Sequence, residues 1–272
     1  MEIPFTKLQG NGNDFVLIDE YEKTVIPDEM KARFAATYCD RRFGIGADGV
    51  LYLMKSATGT LRMRILQPDE SEAAMCGNGI RCLAKYAFDA GYVKGTCTVD
   101  TLAGPVGVEM AYRDDNFVAT ISMPTPKFNR PEIPAQGEGE YREQIGMFDV
   151  YAANTGVPHA VVLVDDLESV NVEALAPPIR HHESFTKGAN VNFVQKTGDN
   201  SIRIRTFERG VEGETLSCGT GATAAAAVIH RLGLRGETVK VETEGGPLVI
   251  YLTNGAKMEG PAETVFSGTI RF

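Results

Sequence analysis

Two of the five cysteines sit in matching sequence, Cys76-Gly77-Asn78-Gly79 and Cys218-Gly219-Thr220-Gly221. Residues at helical spacing follow each one, so each reads as the start of a helix. A thiol there feels the positive end of the helix macrodipole, which lowers its pKa. The glycine after it lets a ligand approach the backbone closely. The next N–H groups have no partner inside the helix and form a ready anion site. Two such starts across one cleft would hold a carboxylate between them, with a sulfur on each face of the adjacent carbon. That suits inversion at the carbon, in which a thiolate removes a proton and a thiol returns one on the other face. The two pKa values must then be held apart. The helix ends would stabilise charge building on the carboxylate.

The remaining cysteines do not repeat this pattern. Cys82 falls within the first helix, Cys97 is matched by Val239 in the second copy, and Cys39 has no motif around it. All three read as buried thiols. Cys76 and Cys82 do not form C-x-x-C, and His181-His182 lacks a matching ligand spacing, so no metal site is expected.

The elements that must position the two thiols are themselves repeated. At an offset of 142 residues Glu72 falls on Glu214, Ala84 on Ala226, Gly91 on Gly233, Val99-Asp100-Thr101 on Val241-Glu242-Thr243, and Gly104-Pro105 on Gly246-Pro247. The register holds from residue 72 to about 106, which implies two copies of one supersecondary unit rather than a solenoid. Each copy reads as strand, loop, C-G-x-G, helix, glycine stop, strand. Leu61 to Leu66 and Ile202 to Arg205 alternate apolar and polar residues, as strands do. Ile80, Leu83, Ala84, Ala87 and Phe88 recur at helical spacing. Ala222 to Ile229 is apolar nearly all round, which predicts a helix enclosed on every side. Phe117 to Ser122 and Leu248 to Leu252 read as strands, with Asn254-Gly255 as a hairpin turn. The Pro-, Gly- and Glu-rich stretch Pro124 to Gly139 is the candidate linker.

Composition bounds the class. The 272 residues suffice for one large domain or two ordinary ones, and the net charge of −9 is spread along the chain. No basic stripe suggests nucleic acid, and no apolar run reaches the length of a membrane helix. The start of the chain lacks the pattern of a signal peptide. An odd cysteine count does not suggest a disulfide framework. A cytoplasmic protein is expected.

These motifs resemble the diaminopimelate epimerase family over nearly the whole chain. The resemblance is carried by Gly10-Asn11-Gly12-Asn13-Asp14-Phe15, by Asp40 to Gly49, and by Ser71-Glu72 with Met75 to Gly79. Further on it is carried by Thr155 to His159, Asn190 to Phe193, Glu208-Arg209-Gly210 and Gly213 to Gly221. It implies an α/β fold of two pseudo-symmetric domains, each a curved, barrel-like sheet around a central helix. One domain would be 1–123 with 260–272 and carry Cys76; the other would be 124–259 and carry Cys218. It also implies a cofactor-independent isomerase that converts L,L-diaminopimelate to the meso form without pyridoxal phosphate, for lysine and peptidoglycan precursors, as a homodimer.

In that resemblance Cys76 and Cys218 are the acid/base pair, and Asn13 lies near the reacting centre. Gly77, Asn78, Gly219 and Thr220 offer backbone donors to the α-carboxylate. Glu208 pairs with the α-ammonium, Asn190 and Arg209 reach the far end of the substrate, and His159 lies close by. Taken alone, Asn13 and Asn78 also read as turn residues, Glu208-Arg209 as a solvated pair, His159 as a structural histidine, and His181-His182 as exposed loop. Glu72 and Glu214 read as caps of their helices. The chain departs from the family at three positions. Gln67 stands where Asn is usual, Val157 where Asn is frequent, and Gly49 where some members have Gln. Gln67 and Val157 match positions that touch the distal end of the substrate. This leaves open a racemase of the same fold acting on proline, hydroxyproline or histidine. A thiol redox protein and a non-catalytic amino-acid binder are further readings.

Overall fold

The computed structural model describes residues 2–272. It divides into two compact units, one comprising the chain up to Ser122 together with Gly260–Phe272, the other Met123–Glu259.

The first unit opens with β1 (Glu2–Gly10) and β2 (Asn13–Glu20). They form an antiparallel hairpin in which Gly10 pairs with Asn13. Its two-residue turn, Asn11 and Gly12, has φ of 53° and 79°, the left-handed conformation that Asn-Gly adopts readily. After α1 (Asp28–Tyr38), β3 (Gly49–Lys55) returns parallel to β2, and β4 (Leu61–Leu66) runs antiparallel to β3. The short β5 (Glu72–Ala73) leads into α2 (Gly77–Asp89), which crosses over to β6 (Thr96–Thr101), parallel to β4. β7 (Gly104–Arg113) and β8 (Asn116–Met123) complete the run as an antiparallel meander.

The second unit repeats the plan: β9 (Arg142–Ile145), β10 (Phe148–Asn154), β11 (Pro158–Val164), α3 (Val172–Arg180), β12 (Asn190–Lys196), β13 (Ser201–Glu208), β14 (Gly213–Thr215), α4 (Gly219–Arg231), β15 (Thr238–Thr243), β16 (Gly246–Tyr251) and β17 (Ala256–Pro261). Here α3 joins the parallel pair β11 and β12, and α4 joins the parallel pair β13 and β15. The last strand, β18 (Glu263–Arg271), belongs to the first unit and pairs antiparallel with β1.

In each unit the second helix lies in the bowl of the sheet. α2 packs against β1 to β4, β7 and β18, and α4 against β10 to β13, β15 and β16. Gly221 to Ile229 are all buried, as an all-round apolar helix requires. Both helices have 13 residues and end on a left-handed glycine, Gly91 (φ 76°) or Gly233 (φ 71°), with nothing near the missing Cβ. Backbone conformation alone therefore calls for glycine there.

The stretch Pro124 to Gly139 is not a free tether. It contains a single 3₁₀ turn, Arg130–Glu132, and Ile133 and Ala135 enter the core of the second unit beside Phe185. Its prolines and glycines mask those two apolar anchors. Among the described residues no helix is long and apolar enough to cross a membrane.

Candidate active site

Each thiol occupies the N-cap of its helix, in extended backbone conformation: Cys76 at φ −145°, ψ 119° and Cys218 at φ −121°, ψ 109°. The first main-chain bonds of the helices run from Ile80 N to Cys76 O and from Ala222 N to Cys218 O. The N–H groups of Gly77, Asn78, Gly219 and Thr220 therefore precede the first helical bond and can serve an anion. A Cβ on Gly219 would lie 2.8 Å from Cε of Met258, so only glycine fits there without displacement.

In the first unit the Cys76 thiol receives the N–H of Gly79 at 3.5 Å and donates to Asn13 Oδ1 at 3.5 Å. Asn78 Nδ2 donates to the same oxygen at 3.4 Å. Neither Asn13 nor Asn78 has left-handed backbone; their side chains are what the site uses. Asn13 is oriented by Asp48, which accepts from Asn13 Nδ2 at 2.5 Å. Arg41 bridges Asp48 and Asp14, and Lys7 approaches Asp14 at 2.7 Å. Burial alone would raise the Asp14 carboxyl, but Arg41 and Lys7 outweigh it and hold it well below the usual carboxylate range. Beneath the helix start, Arg81 is fully buried. It donates to Asn11 Oδ1 at 2.6 Å, to Asn78 Oδ1 at 2.9 Å and to Pro261 O at 3.1 Å. Desolvation lowers its pKa to about 10, which leaves it a cation at neutral pH. Sequence alone gives no role to Arg81, since a fully buried arginine has no signature there, nor to Asp48, although it lies within the Asp40 to Gly49 motif.

In the second unit Cys218 Sγ lies 3.4 Å from Thr220 Oγ1, which lies 2.9 Å from His159 Nε2. His159 is wholly buried, and desolvation, with the charge of Arg209 second, lowers its pKa to about 3. It is therefore a neutral imidazole. Asn192, also buried, donates Nδ2 to His159 Nδ1 at 3.1 Å and to Ala160 O at 2.9 Å, and its Oδ1 accepts from Thr206 at 3.0 Å. Asn190 accepts the Arg209 N–H at 2.8 Å and donates to Pro158 O. Glu208 accepts from Thr215 Oγ1 at 3.0 Å, yet burial raises its carboxyl above the ordinary value. Arg209 is half-buried and donates to the carbonyls of Lys187 and Gly188.

Strand register aligns the halves more finely than the sequence does. Leu66 pairs with Glu72 and Phe207 with Glu214. Matching Glu72 to Glu214 places Gln67 opposite Glu208 and Gly49 opposite Asn190, an offset of 141, and Asn13 opposite Val157, an offset of 144. Asn13, Gln67 and Gly49 thus have counterparts in Val157, Glu208 and Asn190, whereas Arg209 and His159 have none among the proposed contacts of the first half. Gln67 is exposed, with its Oε1 bound by the Ser71 hydroxyl at 2.9 Å. Val157 is half-buried in the turn before β11. A Cβ on Gly49 would lie 3.2 Å from Leu66 O.

Glu72 and Glu214 do not cap their helices. Each grips an arginine of the preceding strand with both oxygens, Arg64 at 2.7 and 2.9 Å and Arg205 at 2.6 and 2.7 Å. The duplicated carboxylates tie β4 to β5 and β13 to β14, and the duplicated thiols remain for chemistry. His181 is exposed, as expected of a loop residue, while His182 Nδ1 contacts Ser184 Oγ at 2.8 Å. Among the described residues no three His, Cys, Asp or Glu side chains are grouped as a metal site would require.

The sequence profile of diaminopimelate epimerase matches residues 5–128 and 151–265. The chain is 53% identical to a diaminopimelate epimerase of Methanothrix thermoacetophila, covering 99% of this chain and 96% of the relative. It is 52% identical to one from Methanocella arvoryzae, covering 99% and 97%. Among solved structures, a phenazine biosynthesis protein of the PhzF family from Bacillus anthracis superposes with a TM-score of 0.76 over the full length of both chains, at 16% identity, so it shares the fold. Cysteines at the N-cap positions of two matching helices, together with a family profile over most of the chain and identity above 50% over nearly the full length, place this chain in the diaminopimelate epimerase family.

Proposed function

We propose that this isomerase epimerises L,L-diaminopimelate to meso-diaminopimelate through the thiols of Cys76 and Cys218. One sulfur, as thiolate, takes the α-proton, and the other, as thiol, returns a proton to the opposite face; the roles exchange when the reaction runs backwards. The carbanion that forms is stabilised through its carboxylate by the N–H groups of Gly77 and Asn78 and of Gly219 and Thr220, with the positive helix ends behind them. Glu208, buried and acceptor-only when ionised, suits the α-ammonium. Arg209 offers a guanidinium fork to the distal carboxylate.

The observation that carries the reading is the duplicated N-cap cysteine, with a distinct set of polar side chains around each sulfur. The same reading places the enzyme in the cytoplasm, in lysine and peptidoglycan-precursor synthesis, as a homodimer, with no pyridoxal phosphate. The test is to incubate the pure protein with L,L-diaminopimelate in deuterated water. Deuterium at one α-carbon, with meso product, is expected. A protein that binds the substrate but exchanges no α-hydrogen would refute it.

A further inference from the structure

The two thiols rest on different floors. Behind the Cys76 helix start, a Cβ on Gly79 would meet Leu51 at 3.2 Å and Phe15 at 3.6 Å. At the matching Gly221 it would meet Asn192 Oδ1 at 2.5 Å. Strand register makes Asn192 the counterpart of Leu51 and His159 the counterpart of Phe15. An apolar pair in one half is therefore replaced in the other by an amide and an imidazole.

The direction of the resulting chain of bonds is fixed at its far end. Asn192 Nδ2 faces the Ala160 carbonyl, which only accepts, so the amide cannot be reversed without setting oxygen against oxygen. That same Nδ2 donates to His159 Nδ1, so Nδ1 of the neutral ring is the acceptor. Asn190 Nδ2, which donates to Pro158 O at 3.1 Å, also stands 3.5 Å from Nε2, but the shorter 3.1 Å contact makes Nδ1 the acceptor; the ring proton then sits on Nε2 and is given to Thr220 Oγ1 at 2.9 Å. With its oxygen accepting from the ring, the Thr220 hydroxyl has its own proton available for Cys218 Sγ. The first half is wired otherwise: the Gly79 N–H reaches Cys76 Sγ at 3.5 Å, and the side chain facing that sulfur is Asn13, held by Asp48 so that a carbonyl oxygen, an acceptor that favours the thiol, points at it.

We propose that Asn192 is a positioning residue, which locks His159 in the tautomer protonated on Nε2 and so turns the Thr220 hydroxyl toward Cys218 as a donor to its thiolate. The assignment names Cys218 as the more nucleophilic thiol of the substrate-free chain, and only its kinetic meaning rests on the epimerase reading. Among the strands packed on α4, His159 is the ionisable group within the chain of bonds, and Glu208 and Arg209 flank it at the end of β13. Arg203 and Arg205 are engaged by Glu168 and Glu214. Tyr151 stacks under Arg142, Tyr251 is half-buried on β16, and Asp149, Lys196, Lys240 and Glu242 are exposed.

Imidazole ¹⁵N spectra of the full-length protein test the tautomer without reference to activity. The proton is expected on Nε2 of His159; a proton on Nδ1 overturns the proposal. In Asn192→Asp the new carboxylate accepts from Nδ1, and the proton is expected to move there; an unchanged spectrum from a folded variant overturns it. In Thr220→Val the tautomer stays and the last link is cut. Iodoacetamide labelling of Cys218 relative to Cys76 at pH 7 should then fall about tenfold, the loss expected for one hydrogen bond to a charged group. Equal labelling ratios in Thr220→Val and the parent protein overturn it. If α-hydrogen exchange fails while these results hold, the catalytic reading falls and this one stands.

Discussion

Replacing Gly221 by alanine sets two opposing effects against each other. The residue lies in the first turn of α4 with helical backbone, where Gly→Ala ordinarily gains about 1 kcal/mol. Here the added carbon would stand 2.5 Å from Asn192 Oδ1. Because Asn192 is completely buried and held by Thr206, His159 and Ala160, it has no open space to move into. Overpacking of this kind costs about 1–3 kcal/mol. Each buried polar group stripped of its partner costs about 1–3 kcal/mol more. The net expectation is a loss of roughly 2–4 kcal/mol. For a chain of this size that is a fall in melting temperature of roughly 5–15 °C. The internal control is Gly79→Ala, the repeat counterpart, where the nearest atom is a Leu51 methyl at 3.2 Å that can yield by a few tenths of an ångström. Thermal scans of both variants decide the matter. A Gly221→Ala protein as stable as the parent, or one no worse than Gly79→Ala, would refute the close packing of Asn192 beneath the helix start.

Cys76→Ala and Cys218→Ala should each abolish epimerisation, while Cys39→Ala, Cys82→Ala and Cys97→Ala leave kcat/KM nearly unchanged. Burial pushes the Cys39 and Cys82 thiols up to about 12 and Cys97 to about 11, so mass mapping after alkylation at pH 7.5, roughly one unit below a free thiol's pKa, should leave these three unmodified. Glu208→Gln tests the buried carboxyl. Burial, against the opposing Thr215 bond, raises its folded pKa above the ordinary 4.5, so it favours folding below that value and costs stability as pH rises through the folded pKa. The melting temperature of Glu208→Gln relative to the parent should therefore climb as pH rises above the ordinary carboxyl value of 4.5; a gap independent of pH would contradict the burial argument. Arg209→Met should cost on the order of 3 kcal/mol in kcat/KM for diaminopimelate, about 100-fold. Its melting temperature should barely move, because the guanidinium touches only main-chain carbonyls. Unchanged kinetics would reduce Arg209 to a surface residue.

The sequence carried the helix starts openly, because cysteine is rare and the offset of 142 runs unbroken through α2 and α4. Ahead of residue 72 the offset slips. The turn between Phe207 and Glu214 holds one residue more than that between Leu66 and Glu72, and the β2 and β11 strands are displaced by three more. A fixed register therefore hides the pairing of Phe15 with His159 and of Leu51 with Asn192, which only the hydrogen-bonded ladders restore. Arg81 was illegible for a different reason. Its partners are an Asn-Gly turn, the preceding turn of its own helix and a carbonyl 180 residues away, and no local pattern connects these. The glutamates before each helix read naturally as caps, because position alone gives no sign of an arginine on the neighbouring strand.

The return of β18 to β1 has a consequence for how the chain comes off the ribosome. The second unit is one uninterrupted segment and can close its sheet as soon as Glu259 is clear of the exit tunnel. The first unit begins earlier but finishes last, because until Glu263–Arg271 emerges the outer side of β1 has no strand to pair with. Synthesis therefore reverses the usual order in which the N-terminal unit folds first. Throughout translation the nascent chain carries an open strand edge, from which a polypeptide of another molecule could template. A stalled or prematurely terminated chain would be expected to aggregate through β1 even with its second unit fully native.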